Sequence, residues 1–271
     1  MSHGQPSPHL LEVRDLTRVF GQGANALRAV DNVSFTAKSG EILAIVGESG
    51  SGKSTLARMV LRLLEPTSGQ IVLDGRDAVK LHGPRHLKAY WRKVQGIFQD
   101  PFASFNQFYS VNHMLQKTMG LLDPHPSRQE RHERVETALR SVGLDPADVL
   151  NKWPHQLSGG QLQRVTIARA LVVEPHILVA DESTSMLDAS LRVTILNLLT
   201  DLRQKYGMSI LFITHDIGQA NYIADRILVM YHGQLVEQGP VEDVLETPKH
   251  AYTQRLLADV PRLSGWGAVT T

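Results

Sequence analysis

The chain has 271 residues, a formal net charge of +1 and no cysteine. A chain of this length buries enough surface to fold without disulfides or structural metals. The lack of cysteine excludes a disulfide framework, a cysteine nucleophile and any zinc or iron–sulfur site with cysteine ligands. A charge near zero gives no general attraction to nucleic acid, so we expect no nucleic-acid partner. No apolar run approaches the roughly 20 residues of a membrane-spanning helix.

The N-terminal part of the chain begins with a polar segment and continues with two strand-like segments. Residues 1–10 contain two prolines and no apolar run, so we expect a flexible N-terminus and no secretory signal. Polar and apolar residues alternate over residues 11–20 and 30–37, and Gly21 and Gly23 supply a turn between these segments. The two segments are predicted to form an antiparallel side sheet.

Short apolar runs then alternate with helical patterns. The run at residues 41–46 precedes a glycine-rich turn and a predicted helix at residues 54–64. Further short runs occur at residues 177–180, 210–213 and 227–230. Runs that are apolar on both faces are typical of parallel strands covered by helices. The sequence therefore predicts an α/β fold with an antiparallel β side sheet.

The strand pattern stops between residues 101 and 154. Three helical segments are predicted there, at residues 111–122, 128–142 and 146–150. We therefore expect a helical subdomain inserted at about residues 101–154 into a domain that spans residues 11–239. Two further short helices, at residues 241–246 and 252–258, are predicted in a C-terminal extension over residues 240–271, with a frayed end from residue 264.

The sequence GESGSGKS, from Gly47 to Ser54, follows an apolar run and precedes a predicted helix. It fits the phosphate-loop pattern, in which glycines let the backbone N–H groups surround a phosphate and the helix N-terminus adds positive potential. Lys53 is expected to contact the β- and γ-phosphates, and the Ser54 hydroxyl to bind Mg²⁺. A glycine-rich turn without a ligand is the alternative, but lysine and serine have no role in turn geometry. The predicted nucleotide-binding residues here are Gly47, Ser49, Gly50, Gly52, Lys53, Ser54 and Thr55.

Two adjacent carboxylates, Asp181 and Glu182, end the apolar run that begins at Ile177. Ligands bind at the carboxyl edge of parallel sheets. We expect Asp181 to hold Mg²⁺ through water and Glu182 to orient or deprotonate an attacking water. The pair alone would fit a solvated strand end equally well, but together with a phosphate loop it favours a catalytic site.

The pentapeptide LSGGQ, ending at Gln161, precedes a helix with an apolar stripe. One interpretation is a capping box, with Ser158 as N-cap and Gln161 three residues later. Two glycines in a first turn cost roughly 1 kcal/mol each relative to alanine, which a cap alone would not require. Gly159 and Gly160 therefore favour close approach of an anion to this helix end.

These motifs, together with SMLD ending at Asp188 and with His215, occur in the order and spacing of an ATP-binding-cassette (ABC) ATPase. The chain resembles that family over roughly residues 11–239, and LSGGQ is far more specific to it than a phosphate loop is. The resemblance implies a head-to-tail dimer that holds two ATP molecules. Each ATP would lie between the phosphate loop of one subunit and the residues Ser158, Gly159, Gly160 and Gln161 of the other.

The resemblance also assigns roles to four residues outside these loops. Gln99 matches the glutamine that senses the γ-phosphate, so we expect it both to take part in catalysis and to bind Mg²⁺. Asp188 matches the loop at the dimer interface. His215 matches the switch histidine at the γ-phosphate, although a packing role is the alternative. Phe20 stands where an aromatic stacks on adenine, although it also fits an edge aromatic. Ser183 replaces the usual proline, which leaves the rigidity of this segment open.

The C-terminal sequence HAYTQRLLADVP, from His250, and the sequence QDPFASFN, from Gln99, resemble those of oligopeptide, dipeptide and nickel importer ATPases. An amphipathic helix that packs on its own domain is the alternative for the first of them. Members of this group act at the cytoplasmic face of the membrane. They pair with a second ABC ATPase subunit beneath membrane permease subunits, which receive solute from an extracytoplasmic solute-binding protein.

The resemblance therefore implies an ATPase that energises import, most simply of oligopeptides. A heterodimer is favoured and a homodimer remains open. Import of oligosaccharides or nickel, or a soluble role without transport, would use the same chemistry. A phosphate-loop kinase or GTPase would leave LSGGQ unexplained. The expected mechanism is closure of the dimer on ATP, with force transmitted through the groove between Gln99 and the helices after Pro101.

Overall fold

The computed structural model describes residues 10–102, 105–122, 124–185 and 187–258. Residues 1–9 of the predicted flexible N-terminus and the predicted frayed end from residue 264 lie outside this part. So do Ala103, Ser104, Met186 and residues 259–261 of the motifs quoted above. The described strands are β1 (Leu11–Phe20), β2 (Leu27–Ala37), β3 (Ile42–Val46), β4 (Ser68–Leu73), β5 (Arg76–Asp77), β6 (Val94–Ile97), β7 (Ile177–Asp181), β8 (Ser209–Ile213), β9 (Arg226–Tyr231) and β10 (Gln234–Pro240).

The described helices are α1 (Lys53–Val60), α2 (Pro84–Lys93), α3 (Val111–Thr118), α4 (Arg128–Ser141), α5 (Pro146–Val149), α6 (Gly159–Leu171), α7 (Ala189–Tyr206), α8 (Ile217–Ile223), α9 (Val241–Glu246) and α10 (Ala251–Ala258). The helices that the sequence predicted lie close to their predicted positions, and α2, α7 and α8 are additional. Helix α1 ends earlier than predicted, because Arg62 takes a left-handed conformation with φ 55°. The N–H groups of Leu63 and Leu64 then both donate to the carbonyl of Arg58.

The strands form two sheets. One is antiparallel, in the order β2-β1-β4-β5, and the other has the order β10-β9-β3-β8-β7-β6. In the second sheet β9, β3, β8, β7 and β6 are parallel, with Ile42 opposite Ile210 and Val179 opposite Leu211, and β10 is antiparallel to β9. The predicted α/β fold with an antiparallel side sheet is confirmed.

Alternate residues of the parallel strands pack on opposite faces of the sheet. Leu43 and Ile45 join a cluster with α1 and the antiparallel sheet, whereas Ile42, Ala44 and Val46 join a cluster with α3, α4, α6, α7 and α8. These strands are therefore apolar on both faces, as the sequence predicted. Helix α6 packs on both α3 and α4 and also contacts β6, which places it in this helical layer.

Strands β4, β5 and β10 were not predicted, because their own sequences carry little strand pattern. The bend of β1 at Asp15, with φ 48°, lets β4 pair with both halves of β1. A Cβ atom on Gly69 of β4 would lie 2.5 Å from the carbonyl oxygen of Asp15, so this pairing requires glycine there. No helix within the described residues combines the length and apolarity needed to cross a lipid bilayer.

Candidate functional site

Four loops meet at the carboxyl edge of the parallel sheet. The phosphate loop follows β3, His215 follows β8, Glu182 follows Asp181 at the end of β7, and Gln99 follows β6. The strands β3, β8, β7 and β6 are adjacent and parallel, so all four loops leave the same edge. The sheet topology thus brings together residues that are far apart in sequence.

The phosphate loop is wrapped tightly against two neighbouring strands. A Cβ atom on Gly47 would lie 2.2 Å from the carbonyl oxygen of Met230 in β9, and one on Gly52 would lie 2.2 Å from that of Ala29 in β2. Both glycines have positive φ angles, 149° and 103°. Larger residues would therefore push the loop away from these strands, so the two glycines set its position.

Lys53 lies inside the phosphate loop and is only 4% exposed. Its Nζ donates hydrogen bonds to the carbonyl oxygens of Gly47, at 2.8 Å, and Glu48, at 2.7 Å. Burial lowers the pKa of Lys53 below its ordinary value, and the nearby carboxylates of Glu182 and Asp181 oppose this shift. A buried ammonium held by carbonyl dipoles is ready to exchange those contacts for phosphate oxygens.

Ser54, in the first turn of α1, is joined to Asp181. Its Oγ donates to Oδ1 of Asp181 at 3.1 Å, and Asp181 is 7% exposed. Burial raises the pKa of Asp181, and the Glu182 charge raises it further, whereas the Ser54 hydrogen bond lowers it. A buried carboxylate next to a hydroxyl is a set of hard oxygen donors that fits Mg²⁺.

Within the described part of the chain, no cluster of three or more His, Cys, Asp or Glu side chains has the arrangement of a metal site. Mg²⁺ commonly binds through one or two protein oxygens and completes its shell with water and phosphate. The pair Ser54 and Asp181 therefore fits such an ion when nucleotide is bound, and does not form a metal site of its own.

Glu182 and His215 approach each other at the same edge. His215 Nδ1 lies 3.4 Å from Oε1 of Glu182, and the histidine side chain is 57% exposed. Glu182 has a left-handed backbone conformation, with φ 47°, and its N–H donates to the carbonyl of Ile213 at 2.9 Å. This strained conformation turns the carboxylate out of the strand direction and towards the loop that follows β8.

Gln99 and Phe20 lie at the margins of the site. Gln99 is exposed and makes no hydrogen bond to the other described residues. Phe20 ends β1, is 38% exposed and packs beneath the Arg18 guanidinium, 4.7 Å from the ring centroid. Its strand partner is Leu27, two residues before the Ala29 carbonyl that contacts Gly52. Phe20 is therefore an exposed edge aromatic on the strand pair that approaches the phosphate loop at Gly52.

The start of α6 is a complete capping box. Ser158 Oγ accepts from the N–H of Gln161 at 3.2 Å, and the Gln161 side chain accepts from the N–H of Ser158 at 3.1 Å. A Cβ atom on Gly160 would lie 3.2 Å from the Leu191 side chain, so close packing on α7 explains this glycine. Gly159 is exposed, and a Cβ atom there would meet nothing within 4 Å. Of these two glycines, only Gly159 is not explained by close packing against a neighbouring side chain.

Asp188 is the N-cap of α7. Its Oδ1 accepts from the N–H of Leu191 at 2.9 Å and from Oγ of Ser190 at 2.8 Å. The Leu191 bond, followed by the Ser190 bond, lowers the pKa of Asp188. Asp188 and Ser158 are both exposed, and no hydrogen bond among the described residues joins either of them to the phosphate loop.

Three buried polar side chains behind the site were not predicted from the sequence. Gln163 Nε2 donates to the carbonyl of Ser183 at 2.7 Å, and Thr184 Oγ1 donates to Oε1 of Gln219 at 2.6 Å. Gln219 in turn donates to Asp216, the N-cap of α8. These bonds connect α6 and α8 to the segment after Glu182. They hold this segment in place, although Ser183 stands where proline is usual in the family. Buried glutamines in helices were the only sequence indication of this network.

Comparison with known proteins agrees with this geometry. The sequence profile of the ABC transporter family matches residues 30–185. A putative peptide import ATP-binding protein of Brucella ovis is 44% identical over 252 residues, which cover 93% of this chain and 78% of the relative. The oligopeptide transport ATP-binding protein OppF of Bacillus subtilis is 41% identical over 252 residues, 93% of this chain and 82% of that protein.

The chain belongs to the ABC transporter family. Solved ABC structures share its fold. The ATP-binding cassette MJ0796, in a dimeric post-hydrolysis state with ADP and Pi, has a TM-score of 0.77 and 30% identity, and the match covers 85% of this chain and 98% of that one. CbiO1 of Clostridium perfringens, part of the ABC transporter complex cbiONQ, has a TM-score of 0.78 and 28% identity, covering 94% and 97%. This chain is an ABC ATPase, and its nucleotide is ATP.

Proposed function

We propose that this ABC ATPase energises the import of oligopeptides across a membrane. The observation that carries the proposal is the convergence of the phosphate loop, Asp181, Glu182 and His215 at one edge of the sheet. The relatives named as peptide and oligopeptide import proteins support the solute class. ATP binding at this edge supplies the free energy, and the solute never contacts this chain.

Each loop has a distinct task in this proposal. Lys53 and the N–H groups from Ser49 to Thr55 hold the phosphates. Ser54 and Asp181 would hold Mg²⁺, with Gln99 near the γ-phosphate, and the ion would supply neutralising charge for the phosphate oxygens. Glu182 orients and deprotonates the attacking water, and His215 contacts the γ-phosphate from the next strand.

The second half of each nucleotide site comes from another subunit. Ser158, Gly159, Gly160 and Gln161 form a helix start at which Ser158 and Gly159 are exposed, and the N–H groups of such a helix end suit a γ-phosphate. The exposure of Ser158, Gly159 and Asp188 supports a head-to-tail dimer in which this helix start faces the nucleotide of the partner ATPase. A heterodimer is the form that we propose, with a homodimer as the alternative outcome. Phe20 stacks on the adenine.

We also propose the division of the chain and its place in a transporter. Residues 11–239 form the ABC ATPase domain, with a helical subdomain at about residues 101–154, and residues 240–271 form an extension. An open cleft of about 680 Å³ lies between β6, α2 and α3. It is lined largely by apolar and aromatic side chains, among them Leu61, Trp91, Phe98, Phe105, Tyr109 and Leu121.

This cleft would receive the membrane permease subunits, and the chain would lie at the cytoplasmic face of the membrane. A solute-binding protein outside the membrane would deliver the peptide to the permease. Since the cleft lies next to Gln99, closure of the nucleotide site is expected to change its shape. This coupling needs no contact between the ATPase and the solute.

Uptake of a labelled oligopeptide tests the proposal. In cells that depend on this chain, Lys53→Ala should abolish uptake and ATP turnover, because the ammonium that holds the phosphates is lost. Lys80→Ala removes an exposed lysine that pairs only loosely with Asp77, at 3.6 Å, and should change neither. Normal turnover in Lys53→Ala would refute the phosphate-loop assignment. If Lys53→Ala cells lose uptake of oligosaccharide or nickel but still take up peptide, oligopeptides are refuted as the solute.

A further inference from the structure

The C-terminal helix α10 reaches the phosphate loop through one side chain. The hydroxyl of Tyr252 accepts a hydrogen bond from the N–H of Glu48 at 3.0 Å. Tyr252 is 2% exposed, and its ring stacks on that of Tyr231, with centroids 4.0 Å apart and planes at 27°. The tyrosine is thus a buried contact between the extension and the loop, and it has no catalytic task.

The bonded N–H belongs to the same peptide group as the carbonyl that holds Lys53. The carbonyl of Gly47 and the N–H of Glu48 share one planar peptide unit. Tyr252 accepts from the N–H side of this unit, while Lys53 Nζ donates to its oxygen at 2.8 Å. Because a peptide unit is rigid, a bond to its N–H sets the direction of its carbonyl. Hydrogen bonds in such a chain also strengthen one another.

The helix that carries Tyr252 is itself anchored at its first turn. The Glu237 carboxylate in β10 accepts from the N–H groups of Lys249, at 2.7 Å, and His250, at 3.0 Å. The His250 ring then accepts from the N–H of Tyr252 at 3.1 Å. Burial would raise the pKa of Glu237, but these N–H bonds lower it overall, so the anchor stays ionised. Tyr252 therefore has a fixed backbone from which to reach the loop.

We propose that Tyr252 is a positioning residue for ATP binding, which orients the Gly47–Glu48 peptide and through it the Lys53 ammonium. The role explains why the extension contains a tyrosine within a short motif, since a packing residue there would not need a hydroxyl. It rests on the proposed task of the phosphate loop. It assigns a part in nucleotide affinity to a residue 204 positions away from the loop.

Tyr252→Phe in the full-length chain is the test, because it keeps the ring and its stacking on Tyr231 and removes only the hydroxyl. We expect ATP to bind about 3- to 10-fold more weakly, the loss typical of one neutral hydrogen bond. The KM for ATP should rise by a similar factor with kcat less affected, and the Glu48 amide should exchange with deuterium faster. Calorimetry, steady-state turnover and amide exchange measure these quantities.

Tyr222→Phe is the matched control. The Tyr222 hydroxyl donates to Asn197 at 2.8 Å on an exposed surface, so this variant loses one hydroxyl bond of similar length and should keep the parental affinity for ATP. A Tyr252→Phe protein with parental affinity, KM and amide exchange would overturn the inference, even if its melting temperature fell. Should Lys53→Ala also bind ATP normally, the phosphate-loop assignment itself would fail. If only Tyr252→Phe behaves normally, the positioning role alone is wrong.

Discussion

Two buried ionisable groups, Lys53 and Asp181, lie at the centre of the site with their pKa values shifted towards the neutral form. Burial is the largest cause for both, and each is near the opposite charge that would restore its ionised form. In the proposed complex, bound nucleotide would bring phosphate to the lysine and Mg²⁺ would bring positive charge to the carboxylate. The site is therefore arranged so that ligand binding removes an electrostatic cost already present in the free protein.

We predict that the protein takes up protons when it binds ATP, because Lys53 has a lowered pKa in the free protein. The pKa of Lys53 is lowered in the free protein and should rise when phosphate approaches, so the affinity for ATP should fall as pH rises through the lowered pKa. In the alkaline range, calorimetry in buffers of different ionisation enthalpy should show protons taken up from solution. Binding without proton uptake throughout the alkaline range would mean that Lys53 is fully protonated before ATP arrives.

At the scale of elements, α6 does more than present the capping box at its start. One turn further along, the buried Gln163 side chain donates to the carbonyl of Ser183, two residues after β7 ends. The Oγ of Ser183 is buried and has no hydrogen-bond partner among the described residues. The bond from Gln163 to its backbone carbonyl is therefore the side-chain hydrogen bond that holds this residue. Helix α6 and the segment after β7 are thus joined as one unit.

Removing the hydrogen bond between Gln163 and Ser183 should destabilise the protein. Gln163→Met leaves the Ser183 carbonyl buried without its donor, and we expect a loss of about 1–3 kcal/mol in the free energy of unfolding. Gln129→Met removes a glutamine of α4 that is exposed and bonds only to Glu133 in the same helix, so a change within about 0.5 kcal/mol is expected. Urea denaturation of both variants measures the difference. Equal values would show that the Gln163 bond adds nothing.

At the scale of the whole molecule, no hydrogen bond among the described residues joins the two proposed halves of a nucleotide site. Lys53 and Glu182 lie at the carboxyl edge of the sheet, whereas Ser158 and Gly159 are exposed at the start of α6. A second subunit placed head to tail would complete both sites at once. The similarity to a cassette solved as a dimer with ADP and Pi supports this arrangement.

Glu182→Gln should trap that dimer. ATP binds, hydrolysis slows by about 10²- to 10⁴-fold because the general base is lost, and the nucleotide-loaded dimer accumulates. Light scattering of this variant, alone and mixed with a partner ATPase, measures the mass. Introducing Gly159→Asp into the Glu182→Gln protein should abolish the dimer, because the new carboxylate would repel the phosphates of the ATP bound to the partner. The added side chain has free space, and a helix start favours its charge, so the subunit should still fold. A double variant that dimerises normally would contradict the sandwich arrangement.

The sequence by itself determined the α/β fold, the order of most strands and helices, and the residue types at the nucleotide site. These follow from short-range patterns: apolar runs, helical periodicity and the glycines of GESGSGKS. Tertiary structure decided the rest. β4 becomes a strand only because β1 bends at Asp15, and Gly160 is explained only by Leu191 of α7. Tyr252 meets Glu48 only once the sheet and α10 are assembled. Such contacts join distant segments through packing and hydrogen bonds, which no local pattern encodes.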